Sequence, residues 1–82
     1  MDKRIGFIGI IVADRLKNGS RVNQLLSEYA GMILARMGLP RQDGDLSVIT
    51  LVVEANSDEV GSLTGQLGQI PGVSVKSGLA KR

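Results

Sequence analysis

The chain contains no cysteine and no histidine, and this double absence removes several classes of function. Without thiolate or imidazole ligands there is no structural zinc site, no iron-sulfur ligation and no disulfide. The same absence removes the thiol nucleophile and the imidazole base. The eight Asp and Glu residues are scattered and form no calcium-loop pattern. The sequence therefore predicts no metal site, no catalytic residue and no cofactor, and it disfavours an enzyme.

Aromatic residues are almost as scarce, with one Phe, one Tyr and no Trp. The core must be aliphatic, and the aromatic platforms on which single-stranded bases stack are missing. The net charge of +2 comes from basic residues spread along the chain, a pattern typical of a solubilising surface rather than of a nucleic-acid footprint. No apolar run reaches the ~20 residues of a membrane-spanning helix. We expect a cytoplasmic protein without a membrane or nucleic-acid partner.

Residues 1–82 have the length of one small domain, and four of its segments have the composition of β-strands. They are residues 5–13, 33–41, 45–55 and 73–80. Within the first, Gly6 and Gly9 indicate either bulges or places where another backbone comes close.

A hairpin is predicted between the second and third strands. Asp43-Gly44 is a strong hairpin turn, and a hairpin needs a strand on each side of it. This argues against the alternative of one helix that continues as far as Met37. Pro40 has no N–H group for a central position, so the second strand is expected at a sheet edge.

Two segments carry apolar residues at helical spacing. Ser20 is the expected N-cap of the first helix, after the Asn18-Gly19 turn signal, and Gly31 is expected to end it. Ser57 is the expected N-cap of the second, which ends before Pro71-Gly72. The predicted buried faces are Val22, Leu25, Leu26, Tyr29 and Ala30 in the first helix and Val60, Leu63, Leu67 and Ile70 in the second.

Three glycines interrupt the second helix, at a cost of ~1 kcal/mol each relative to Ala. Close packing of the helix on the sheet or on another helix is the favoured explanation for Gly61, Gly65 and Gly68, ahead of a ligand pocket.

The order strand, helix, strand, strand, helix, strand predicts a ferredoxin-like α+β fold. Right-handed crossovers place both helices on one face of a four-stranded antiparallel sheet of order 4-1-3-2. The other face stays bare, yet the third strand is apolar on both faces. We therefore expect a homo-oligomer, a dimer through the bare face or a sheet edge, and then a dimer of dimers. The predicted interface residues are Ile8, Ile10, Val12, Leu46, Val48 and Val52, although a bulge at Gly6 or Gly9 would exchange the two faces of the first strand.

The loop into the first helix is the candidate ligand site. Free N–H groups at a helix start favour a carboxylate or phosphate, and basic residues lie nearby. An ordinary capped turn is the competing interpretation, and an adaptor that binds a protein partner without any small-molecule effector is the alternative function. The predicted ligand-binding residues are Asp14, Arg15, Asn18, Gly19 and Ser20.

The segments RIGFIGIIVADR, VNQLLSEYAGMILARMGLP and LSVITLVVEANSDEVGSLTGQLGQIPGVSVKS together resemble the family of small regulators of the iron-only hydrogenase system. The likeness covers nearly the whole chain. That family is similar to ACT-type regulatory domains and to the C-terminal sensing domain of the nickel-responsive repressor, which are ferredoxin-like and oligomeric through sheet contacts. The resemblance implies a regulatory domain that acts by small-ligand sensing and oligomerisation.

Two departures limit what the resemblance implies. The nickel repressor binds its metal through His and Cys, which this chain lacks, so nickel sensing does not carry over. ACT domains often bind amino acids near a DRPG turn, whereas here Asp14-Arg15 is followed by Leu16. With no DNA-binding domain in these 82 residues, regulation would require a partner.

Overall fold

The fold, seen in a computed structural model that describes residues 2–40 and 45–81, follows the predicted order of elements. The elements are β1 (Arg4–Val12), α1 (Arg15–Glu28), a 3-10 turn (Ala30–Met32), β2 (Ile33–Pro40), β3 (Ser47–Ala55), α2 (Ser57–Gly68) and β4 (Val73–Leu79). The described part of the chain forms one antiparallel sheet in the order β2-β3-β1-β4, which confirms the predicted order and the edge positions of β2 and β4. The predicted turn at Asp43-Gly44 and the predicted strand residue Arg41 lie outside the described residues.

One face of the sheet packs against the two helices and forms an almost purely aliphatic core. Burial of each large aliphatic side chain contributes roughly 1.5–3 kcal/mol, so this layer is the main source of stability. The buried hydrophobic residues are Ile8, Ile10, Val12, Val22, Leu25, Leu26, Met32, Ile49, Leu51, Val53, Ala55, Val60, Leu63, Leu67 and Ile70.

The prediction for the face of β1 was wrong. Ile8 pairs with Leu51 and Ile10 pairs with Ile49, so these residues share the helix side of the sheet. Ile8, Ile10 and Val12 are therefore core residues and do not lie on the bare face. The side chains that β1 presents on the bare face are Ile5, Phe7 and Ile11, which are about half exposed.

The prediction for the face of β3 agrees with the burial pattern. Val48 and Val52 alternate with the buried Ile49, Leu51 and Val53 along the strand. Leu46 lies just before the strand and is 38% exposed. These three residues remain available to a partner, whereas the three predicted from β1 do not.

Helix α1 begins earlier than predicted. Its N-cap is Asp14, which has a left-handed backbone (φ 55°) and makes no side-chain capping bond, so the expected cap Ser20 lies inside the helix. The turn signal at Asn18 is overridden because this side chain is buried. Its Nδ2 donates to the carbonyl oxygens of Ala13 (2.8 Å) and Pro71 (2.9 Å), which joins the end of β1 to the turn before β4.

The far end of α1 also differs from the prediction. The helix ends at Glu28 with Tyr29 as C-cap, and Gly31 belongs to the following 3-10 turn. The predicted buried face is confirmed for Val22, Leu25 and Leu26, whereas Tyr29 is half-buried and Ala30 is exposed.

Helix α2 begins one residue earlier than predicted, because Asn56 rather than Ser57 is the N-cap. Asn56 Oδ1 accepts from the Glu59 N–H (2.8 Å), and the Asn56 N–H donates to Glu59 Oε1 (3.0 Å). This capping box satisfies two helix-end donors. The predicted buried stripe of Val60, Leu63, Leu67 and Ile70 is confirmed.

The glycines of α2 are not explained by close packing inside the chain, so that prediction was wrong. Among the described residues, a Cβ at Gly61, Gly65 or Gly68 would meet no atom within 4 Å, apart from the helix itself and the chain neighbours. All three residues are exposed. The close approach that the sequence suggested for β1 occurs at Gly6, where a Cβ would overlap the carbonyl oxygen of Gly78.

Candidate functional site

The start of α1 carries two of the predicted ligand residues. Asp14 is exposed at the N-cap, and Arg15 is the first residue of the helix. The Asp14 carbonyl oxygen already accepts from the N–H groups of Lys17 and Asn18, both at 3.0 Å. The N–H groups of Arg15 and Leu16 come before the first intrahelical hydrogen bond and can serve an anion.

The other three predicted residues point to different surroundings. Asn18 donates both amide hydrogens to backbone carbonyls, so it has no donor left for a ligand. Ser20 is exposed on the helix surface. Gly19 lines a separate groove beside β2. The structure therefore brings Asp14 and Arg15 together and separates the remaining residues from them.

The groove beside Gly19 lies between α1 and the edge strand β2, and we call it the α1–β2 groove. Its volume is about 220 Å³, which is below the roughly 300–1,000 Å³ of pockets for drug-sized ligands and suits a small metabolite. The side of the groove that faces the core is apolar. The lining residues are Val12, Gly19, Val22, Asn23, Arg36, Gly38, Leu39, Ser47 and Ile49.

A guanidinium group links the two sides of this groove. Arg36 Nη2, from β2, donates to Asn23 Oδ1, from α1, at 2.5 Å. The amide oxygen is neutral, and no carboxylate of the described residues forms an ion pair with Arg36. Guanidinium presents five donors in a fork that matches a carboxylate. This guanidinium can pair with a carboxylate, and an exposed apolar side chain, that of Leu39, lines the same groove.

Sequence reasoning missed this groove because its hydrogen-bonded pair, Arg36 and Asn23, comes from two different elements. Neither stands in a motif, so no local pattern could have identified the pair.

A second, mostly polar cleft of about 400 Å³ lies between the two helices. Arg21 and Gln69 line it together with Gln66, whose Nε2 donates to Tyr29 Oη (2.6 Å). Tyr29 Oη and Ser62 Oγ are 2.7 Å apart and share a hydrogen. This network joins the C-terminal end of α1 to α2 and gives Gln66 a structural hydrogen bond.

The described residues contain no group of three or more His, Cys, Asp or Glu side chains that could hold a metal ion. Within the same residues, no helix combines the length and the apolar character that crossing a membrane requires.

An extended apolar surface lies outside the core, on the sheet face opposite the helices, which we call the open face. Phe7 is 52% exposed and Met37 is 74% exposed on it. Soluble monomers rarely expose a contiguous apolar patch larger than a few hundred Å². The large apolar residues of the open face are Ile5, Phe7, Ile11, Met37, Leu39, Leu46 and Val52.

Similar proteins share this fold, although the chain matches none of the curated proteins. A structure of the uncharacterized protein TM1266 from Thermotoga maritima is 40% identical, with a TM-score of 0.92 over 98% of this chain and 100% of that chain. The ACT domain of GTP pyrophosphokinase from Chlorobium tepidum is 19% identical, with a TM-score of 0.77 over 92% of this chain and 97% of that chain.

A more distant likeness is SnoaB, a cofactor-independent oxygenase from Streptomyces nogalater. It is 16% identical, with a TM-score of 0.56 over all of this chain and 94% of that chain. Like the ACT domain, it shows a shared fold only. A family model matches residues 4–77, nearly the entire length. The chain therefore belongs to the TM1266-like family, described as "Iron-only hydrogenase system regulator, putative".

Proposed function

We propose that this chain is a non-enzymatic regulatory domain that acts by associating with copies of itself and by binding a small anionic ligand. The family description and the ACT-like fold support a regulatory role. The observation that carries the proposal is the open face. Its half-exposed side chains are too many for a small soluble monomer, and covering them would stabilise an assembly.

The α1–β2 groove supports the ligand-binding part of the proposal. It combines apolar walls with a guanidinium whose hydrogen-bond partner is neutral. The groove is also next to the edge strand β2, whose residues Met37 and Leu39 belong to the open face. A ligand at Arg36 would therefore act on a strand that also takes part in association.

An adaptor that binds another protein is the second candidate. The observation that favours it is the exposed glycine-rich surface of α2. Within the described residues, a Cβ added at Gly61, Gly65 or Gly68 would meet no atom outside the helix and its chain neighbours within 4 Å. A helix surface without side chains allows another backbone to approach closely. In that case association would not require a small ligand.

Self-association is tested by placing a charge at the centre of the open face. The wild-type chain should sediment as an assembly larger than the 8.7 kDa monomer at micromolar concentration. Phe7→Glu should raise the dissociation constant at least about tenfold, because it buries a charge in an apolar contact. Leu16→Glu is the matched control, since Leu16 is 87% exposed on α1. A monomeric wild-type chain at these concentrations would refute the proposal.

Ligand binding is tested by a thermal-shift screen over small carboxylates, nucleotides and inorganic anions. A ligand at 100 times its dissociation constant adds about 2.7 kcal/mol to the free energy of unfolding. Arg36→Gln should abolish the shift, whereas Arg21→Gln, in the cleft between the helices, should keep it. A shift that survives Arg36→Gln but is lost in Arg15→Gln would move the site to the start of α1. If no compound raises the melting temperature, the adaptor function replaces ligand binding as the favoured proposal.

A further inference from the structure

Two opposite charges lie on the open face at symmetric positions around Phe7. Phe7 pairs with Val52 on one side and with Gly78 on the other. Ile5, two residues before Phe7 in β1, pairs with Glu54 of β3. Gly9, two residues after Phe7, pairs with Lys76 of β4.

The register fixes the geometry of these charges. Each lies about 7 Å from Phe7 along the strands and about 5 Å across them, on opposite sides. Glu54 and Lys76 are therefore the ends of a diagonal whose midpoint is Phe7. Because cross-strand partners share a face, both side chains emerge on the same side of the sheet as the Phe7 ring.

Both charged side chains are free to meet a partner. Glu54 and Lys76 are exposed, and the ion pair found among the described residues is a different one, Lys3 with Glu59. The Phe7 ring lies over Gly78, where an added Cβ would come within 2.8 Å of Phe7 Cε1. The ring is thus held against the sheet on the β4 side of the midpoint of the diagonal.

We propose that a second copy of this chain docks on the open face about a two-fold axis that runs parallel to the sheet, passes over Phe7 and is perpendicular to the line from Glu54 to Lys76. This axis places Phe7 against Phe7 of the second copy. It also places each Glu54 opposite Lys76 of the other copy, so one rotation creates two ion pairs. The proposal rests on the self-association proposed above and specifies its geometry.

The exposed apolar area is large enough for such a contact. The open face has seven large apolar side chains, and at roughly 100 Å² of exposed surface each they present on the order of 700 Å² per copy, against about 800 Å² per partner in a standard interface.

Charge complementarity then identifies the occupant. In an isologous interface the same patch meets itself, so it favours a patch whose charges lie opposite one another after the rotation, and the Glu54–Lys76 diagonal has this arrangement. A different apolar partner would need to supply the same two charges at the same spacing.

Charge reversal in two separately purified variants tests the axis. Glu54→Lys and Lys76→Glu should each weaken self-association at least about tenfold, because each places like charges opposite one another twice. An equimolar mixture of the two variants should form a heterodimer with both ion pairs restored, within about threefold of the wild-type affinity. Sedimentation or native mass spectrometry resolves the species. Lys17→Glu and Glu28→Lys, exposed on α1, are the matched controls and should leave association unchanged, alone or mixed.

The outcomes separate this proposal from the one on which it rests. A dimeric wild-type chain whose two variants associate normally, or fail to associate when mixed, would overturn the axis and leave self-association intact. A monomeric wild-type chain would overturn both. Glu54→Gln and Lys76→Gln provide the conservative versions: each alone removes both ion pairs and should weaken association, and mixing them restores one of the two pairs and should rescue association only in part.

Discussion

Gly6→Ala should destabilise the folded protein by about 2–3 kcal/mol, the upper part of the range for an added group in a packed interior. Gly6 lies in the central strand β1 and pairs with Leu79 of β4. An added Cβ would overlap the Gly78 carbonyl oxygen and would approach Leu79 Cδ2 to 2.6 Å. The oxygen belongs to the backbone and cannot rotate away, so β4 must shift and weaken its pairing with β1.

Gly9→Ala is the matched control for this substitution. Gly9 lies three residues further along the same strand, and the nearest atom to its Cβ would be the Lys76 carbonyl oxygen at 3.9 Å. This is an ordinary van der Waals contact, so the change in unfolding free energy should stay within about 0.5 kcal/mol. Urea denaturation at a fixed protein concentration measures both variants. Equal losses of unfolding free energy in the two variants would show that β4 does not approach Gly6 more closely than it approaches Gly9.

Asn18→Ala should lower the free energy of unfolding by about 2 kcal/mol. The substitution removes two hydrogen bonds and leaves the carbonyl oxygens of Ala13 and Pro71 without this donor, and each polar group left unsatisfied in a buried place costs about 1–3 kcal/mol. The better helix propensity of Ala offsets about 0.5 kcal/mol of the loss. Because the bonds join β1 to the turn before β4, β4 should lose amide-exchange protection before the core strands do.

Ser20→Ala distinguishes the structure from the prediction that Ser20 caps the helix. A lost N-cap costs about 1 kcal/mol, whereas an exposed Ser inside a helix is neutral or slightly unfavourable relative to Ala. We therefore expect Ser20→Ala to leave stability unchanged or to raise it slightly. A larger loss at Ser20 than at Asn18 would contradict the position of the helix start.

Local patterns were sufficient for much of the fold. The stripe from Val60 to Ile70 identified the buried side of α2, because helical spacing is contained within one segment. Pro40, which donates no backbone hydrogen bond, indicated an edge strand, and β2 is at the edge. The element order with right-handed crossovers then yielded the strand order.

The same patterns were misleading where a distant part of the chain decided the outcome. Asn18-Gly19 is a turn signal in isolation, but two backbone carbonyls accept the Asn18 amide hydrogens, and one of them belongs to Pro71. The helix therefore continues through this turn signal. Tertiary hydrogen bonds of a buried side chain outweigh local turn preference.

By itself, the sequence determined that this chain has one α+β fold, an aliphatic core and a sheet with apolar residues on both faces. Only the tertiary structure decided which residues of β1 are buried, because one step of register against β3 exchanges the two faces. Register also placed Glu54 and Lys76 symmetrically around Phe7, and helix packing placed Arg36 beside Asn23. Composition and spacing act within a segment, whereas a site or an interface forms between segments whose alignment is set by the packing of the whole domain.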